Sequence, residues 1–191
     1  MLGLLAAAGR LAGAEQDAPP ATAPRTTIQF VPLKGVAGEP KNFTLAELNV
    51  ALFKETNRVR GLHGLRPLKP LAALAAAADD QTAYMALTFA VGHGSPIPGA
   101  ENVVERAQKN GLEHATLVAE NVLSTGVPVR DGPAPSCTEV AAMLIAQWMD
   151  SPGHRANLLN RTFTELGCAA RRVSFLGGSE KYFATQVFAA R

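Results

Sequence analysis

The chain has 191 residues, 47% of them hydrophobic, enough for one substantial domain with an ordinary core plus a tail, and too few for a second full domain. A formal charge of +2, spread without a dense basic cluster, argues against nucleic acid as a partner. No apolar run reaches the roughly 18 residues of a membrane span, so no transmembrane segment is expected.

Residues 1–14 (MLGLLAAAGRLAGA) are apolar and rich in small residues, and Ala12, Gly13 and Ala14 have the small-x-small form of a signal-peptidase site. An export signal is therefore expected, although no basic stretch precedes it and Arg10 interrupts it; a plain tail is the alternative. Residues 15–43 open on the Pro-, Ala- and Thr-rich EQDAPPATAPRTT and read as a flexible linker, leaving 44–191 as the folded domain.

Thr44 with Glu47 forms a capping box and Phe43 facing Leu48 a hydrophobic staple, which together announce a first helix. Leu45, Leu48, Leu52 and Val59 keep helical spacing up to Gly61, the expected end. A second helix is predicted from Pro70 to about Ala90, burying Leu71, Leu74, Ala78, Met85 and Phe89, with Asp79 and Asp80 on its wet face. After Gly92 and His93, GSPIPG reads as loop. Asn102 with Glu105 caps a short third helix ended by Gly111.

Residues 116–123 form a short apolar run with Val118 and Val122 and read as a strand; VPVRDGPAP returns to loop. Ser136 with Glu139 makes another capping box, opening a helix that buries Val140, Leu144, Ile145 and Trp148. A helix cannot pass Pro152 without losing a hydrogen bond and meeting the proline ring, so the chain turns within SPGHRANLL and presents His154 at an element end. Residues 164–173 and 182–190, joined by a turn at Gly177, Gly178 and Ser179, read as an antiparallel hairpin. Helices and strands do not alternate as in a doubly wound sheet, which favours an α+β layered fold.

Cys137 and Cys168 are the chain's two cysteines. In an exported protein an even count favours a disulfide, which would stabilise the fold by about 3–4 kcal/mol; in the cytosol they would be two buried thiols.

The motifs then resemble a known family. LFKETNRVRGLHGLRPL (52–68), VGHG around His93, ERAQKNG, AENV (119–122), QWMDSPGHRANLL, LGCAAR and the final ATQVF occur in the order found in the CAP superfamily (cysteine-rich secretory proteins, antigen 5, pathogenesis-related group one), in its bacterial SCP-domain form. The resemblance implies a three-layer α-β-α sandwich with a small antiparallel sheet, a secreted or periplasmic protein, and a cleft in which His93, Glu120 and His154 converge. A second acidic residue, which other members place three positions after the helix tryptophan, is replaced here by Ser151.

Two imidazoles and a carboxylate suit Zn²⁺ or a similar divalent cation and leave positions open to water or ligand. AENV occurs twice, so Glu101 competes with Glu120. Glu101 precedes a helix N-cap, where the helix dipole alone favours a carboxylate, whereas Glu120 lies in an apolar run, where an unpaired charge is costly; the cleft role goes to Glu120. His63 and His114 read as solvated, and Asn121 should face away from Glu120. Asn157 and Arg155 would either support the cleft or cap the turn.

These features favour an exported, non-enzymatic binding module whose cleft holds a divalent metal, a small molecule, a lipid or an extracellular protein, since no Ser or Cys has an evident paired base. Two alternatives stand beside it. One is a metal-assisted, peptidase-like hydrolase with Glu120 as ligand or general base; the other is a structural envelope protein with a vestigial cleft.

Overall fold

The computed structural model describes residues 43–127, 134–176 and 178–191. The expected export signal, residues 15–42 of the expected linker, the centre of the loop after residue 127, and Gly177 of the hairpin turn lie outside them. Among the described residues the chain order is α1 (Leu45–Leu62), β1 (Lys69–Pro70), α2 (Ala72–Thr88), α3 (Val103–Lys109), β2 (Leu117–Val127), α4 (Cys137–Asp150), α5 (Pro152–Leu158), β3 (Glu165–Ser174) and β4 (Glu180–Ala190).

The local signals act where the sequence places them. Thr44 Oγ1 accepts from the Glu47 amide at 3.2 Å while Glu47 Oε2 accepts from the Thr44 amide at 2.6 Å, completing the box that starts α1. Ser136 and Glu139 do the same for α4, and Asn102 Oδ1 accepts from the amides of Val104 and Glu105 to start α3. Helix α1 passes the expected stop at Gly61 and is capped by His63; the left-handed turn falls at Gly64, with φ +68°. Helix α2 starts after Pro70 because that residue belongs to a two-residue strand, and it ends at Thr88. Phe89, expected in the buried stripe, is instead 48% exposed in a left-handed cap, φ 58°.

The sheet has the order β1-β3-β4-β2. Strands β3 and β4 form the expected hairpin, and β2 runs antiparallel to β4 over its whole length, longer than the sequence suggested, with Glu120 opposite Val187 and Asn121 opposite Gln186. Strand β1 adds a short parallel pairing to β3, so the sheet is mixed rather than wholly antiparallel.

Helices cover both faces, giving the α-β-α sandwich of an α+β fold. On one face Leu48 and Leu52 of α1, Val140, Leu144, Ile145 and Trp148 of α4, and Leu158 of α5 pack with Leu166, Tyr182, Ala184 and Phe188 of the sheet. On the other, Ala73, Leu74, Ala77 and Ala78 of α2 and Ala107 of α3 pack on Ala169, Val187 and Ala189. The alanine-rich face lets α2 approach closely. A Cβ on Gly167 of β3 would stand 2.1 Å from the Ala75 nitrogen, so only glycine fits there.

The expected Cys137–Cys168 disulfide is not formed; both cysteines are free thiols. Cys168 is buried in β3, its thiol beside Thr56 of α1 and Gln186 of β4, and burial pushes its pKa far above the usual thiol value. Cys137, half-buried at the start of α4, instead faces Ala46, Val50 and Ala51 near the beginning of α1. The two thiols address different stretches of the same helix.

Candidate functional site

Strand β2 is an edge of the sheet, and its alternating side chains reach into both layers. Glu120 turns to the α2–α3 side and Asn121 to the α1–α5 side, as the strand period requires. Two walls are built from this pair of neighbours.

The first wall carries His93, in the loop between α2 and α3. Its Nδ1 lies 3.0 Å from Glu120 Oε1; a carboxylate accepts, so the imidazole donates from Nδ1 and its Nε2 is turned away from the carboxylate. Arg106 of α3 donates from Nη2 to the other oxygen, Glu120 Oε2, at 2.7 Å. The side chains of Arg106 and Glu120 are 1% and 2% exposed, while that of His93 is 61% exposed. A buried guanidinium and a buried carboxylate thus pair, with the buried Arg106 Nε left without a hydrogen-bond partner, and present one imidazole to solvent.

The loop backbone is held as firmly as the ring. Arg106 Nη2 also donates to the His93 carbonyl at 3.0 Å, and its Nη1 to the Ala100 carbonyl at 3.3 Å. Gln81 of α2, fully buried, donates from Nε2 to the carbonyls of Gly92 at 2.5 Å and Gly94 at 3.4 Å, gripping His93 from both sides.

The second wall carries His154, in the first turn of α5. Pro152 occupies the first helical position, where its missing N–H costs nothing, so the break after α4 opens directly into a new helix. Ser151 serves both as the end of α4 and the start of α5. Arg155 Nε donates to the Met149 carbonyl at 2.5 Å and fixes the corner. Asn121 Nδ2 donates to the His154 carbonyl at 3.0 Å and to Gln186 Oε1 at 3.2 Å. Gln186 in turn donates to Thr56 Oγ1 at 2.7 Å. Asn157 donates to Asn121 Oδ1 at 2.9 Å and to the Glu120 carbonyl at 3.3 Å, closing the network around the edge strand.

The two imidazoles differ electrostatically. The hydrogen bond to Glu120 raises the His93 pKa, against burial and the charge of Arg106. Burial, and then the nearby charge of His93, lower that of His154. The charge of His93 thus acts on His154, although the two residues come from opposite layers.

Of the residues singled out in the sequence, His93 and Glu120 are in direct contact and His154 stands across the edge strand from them. Glu101 is exposed and takes no part in this contact; His63 and His114 are exposed. Asp79 pairs with Arg171 at 2.7 Å and Asp80 accepts from Asn110 at 3.0 Å, both away from the site. Asn157 braces the cleft, whereas Arg155 holds the corner before it. Arg106 and Gln81 were not picked out by sequence reasoning. Gln81 carried a signal, a polar residue at helical spacing between Ala77 and Met85 on the buried face of α2.

The donor set tests the expected divalent ion. Each oxygen of Glu120 accepts one hydrogen bond, Oε1 from His93 and Oε2 from Arg106. Among the described residues no group of three His, Cys, Asp or Glu stands together as a ligand set.

A separate groove of about 560 Å³ runs between α1 and α4, lined by Ala46, Val50, Ala51, Lys54 and Cys137 among others, and includes neither histidine.

The family model described as CAP, cysteine-rich secretory protein family, matches residues 53–188. No curated protein matches the chain. Among solved structures, an extracellular protein containing an SCP domain from Bacillus anthracis is similar at 26% identity and a TM-score of 0.58, over 76% of this chain and 41% of that one. An outer surface protein of Borrelia burgdorferi is 17% identical, with a TM-score of 0.56, over 78% of this chain and 96% of its own. A cysteine-rich secretory protein of Staphylococcus aureus is 22% identical, with a TM-score of 0.52, over 81% and 42%. The chain therefore spans about two-fifths of the Bacillus and Staphylococcus proteins.

Proposed function

The chain belongs to the CAP, or cysteine-rich secretory protein, family, and from that premise we propose that it is an exported binding module whose cleft takes a small ligand or a divalent ion between His93 and His154. The extracellular and outer-surface descriptions of similar proteins support a place outside the cytoplasm. In the described residues no helix is long and apolar enough to cross a membrane.

The observation that carries the binding reading is the double commitment of Glu120. Both oxygens of Glu120 already accept a charged or polar donor, one from Arg106 and the other from His93, which holds its negative charge in place and suits it to orienting the imidazole. Its role is to fix the imidazole, so that His93 Nε2 and the His154 ring are the groups offered to a ligand. Zn²⁺ would be held by these two nitrogens and completed by water, a weaker set than three protein ligands. For the hydrolase alternative this geometry makes Glu120 better suited to orienting His93 than to acting as the general base itself.

A lipid, the other ligand class expected, would use the groove between α1 and α4, where Ala46, Val50 and Ala51 offer apolar surface and Lys54 a cation.

Calorimetric titration of the protein with zinc tests the cleft, with His93→Ala and His154→Ala as controls. Binding weakened by each substitution is expected. No binding tighter than about millimolar, or binding that both variants retain unchanged, would remove the metal from this site.

A further inference from the structure

Most of the described arginines face a carboxylate. Arg58 pairs with Glu55, Arg106 with Glu120, Arg171 with Asp79, Arg172 with Glu180 and Arg191 with Glu165. Three that do not, Arg60, Arg66 and Arg161, line one cavity of about 200 Å³ at the end of α1, together with Gly64 and Leu65. No acidic side chain is among that lining.

Arg60 is the hub. It is 1% exposed, and burial without a carboxylate lowers its pKa. Its guanidinium donates to the Leu158 carbonyl at 2.7 Å and the Asn160 carbonyl at 3.0 Å, and twice to the Arg66 carbonyl at 3.2 Å. These four bonds leave one N–H uncommitted. The carbonyls at the end of α5 account for holding one buried cation there, through the negative end of the helix dipole. They do not account for two more.

The same bonds fix where the other two arginines start. The Arg66 backbone is clamped through its own carbonyl, with Pro67 restricting it from the other side. Arg161 follows Asn160, whose carbonyl is held by Arg60 and whose Oδ1 accepts from the Thr162 amide at 2.8 Å. Both exposed arginines thus extend from anchored backbone around a shared cavity, whose lining holds no carboxylate.

We propose that this cavity is a binding site for a tetrahedral oxyanion, a phosphoryl or sulfuryl group, held by Arg66 and Arg161 and completed by the remaining N–H of Arg60. Three arginines around one cavity suit an anion with acceptors on every face better than a planar carboxylate, which a single arginine already satisfies. The site is separate from the histidine cleft and does not depend on it.

The test is a titration of the full chain with inorganic phosphate at constant ionic strength, following the amides of Gly64 and Leu65 by NMR. Saturable shifts are expected, with affinity reduced about tenfold in Arg161→Gln and in Arg66→Gln. Both side chains are exposed, so both variants keep the wild-type spectrum elsewhere. Flotation with phosphatidylglycerol vesicles against phosphatidylcholine vesicles separates the sources. Arginine-dependent retention on the anionic vesicles assigns the site to a lipid headgroup, and phosphate binding without retention assigns it to a free oxyanion. No saturation below about 10 mM phosphate with no vesicle retention, or binding unchanged in both variants, would overturn the proposal.

Discussion

Arg106 Nη2 lies 2.7 Å from Glu120 Oε2, with both side chains almost wholly removed from water. Removing one member of such a pair strands the other. Arg106→Met should therefore cost about 3–5 kcal/mol in denaturant unfolding, and the double variant Arg106→Met with Glu120→Leu should recover much of it. A loss under about 1 kcal/mol would mean that the pair is hydrated and behaves as a surface bridge.

The two histidines should titrate in a fixed order. His93, raised by its bond to Glu120, should lose its proton at higher pH than His154, lowered by burial and by His93. The stabilisation from His93 is fully present below its unfolded value of about 6.5 and is lost as pH rises through its raised folded value. For His154 the sign reverses, with stability present above about 6.5 and lost as pH falls through its depressed folded value. Two-dimensional NMR of the imidazoles checks the order, and Glu120→Gln should bring His93 down. Equal titration midpoints would refute the assignment. Because zinc binds neutral imidazole, its affinity should rise as His93 deprotonates.

The caps of α1, α3 and α4 were legible because in each the cap side chain accepts from an amide two or three residues on, although only α1 and α4 complete the reciprocal bond. The Trp148 stripe and the β3–β4 hairpin were legible for the same reason, from periodicity. The need of Glu120 for a partner could also be read, since a charge inside an apolar run demands one. That the partner is Arg106 could not, because nothing local in ERAQKNG distinguishes a buried arginine from a solvated one. Strand β1 escaped because two residues carry no pattern, and its proline resembled a helix start. The cysteine pair misled because an even count says nothing about which stretch of α1 each thiol meets.

Gly167 sets the distance between α2 and the sheet. A methyl group there would stand 2.1 Å from the backbone of Leu74 and Ala75, and neither a helix backbone nor a central strand can yield locally. Gly167→Ala should destabilise the fold by at least about 3 kcal/mol in urea unfolding. A cost below about 1 kcal/mol would show that α2 rides further from β3 than described.

Asn121 links the core to the second wall of the cleft. It is fully buried, donates to the His154 carbonyl and to Gln186, and accepts from Asn157. Asn121→Leu keeps the branched shape with somewhat more bulk, but strands the Gln186 and Asn157 side chains and frees the start of α5, since the His154 carbonyl loses its donor. A loss of about 2–4 kcal/mol is expected, because each buried polar group left unpaired costs about 1–3 kcal/mol. The effect on the site should exceed the effect on the fold. Amide exchange in α5 should quicken and zinc affinity fall, while the bond between His93 and Glu120, on the other face of β2, keeps the His93 titration unchanged. A variant in which both histidines shift together would mean that the two walls are one rigid unit, and that the edge strand does not separate them.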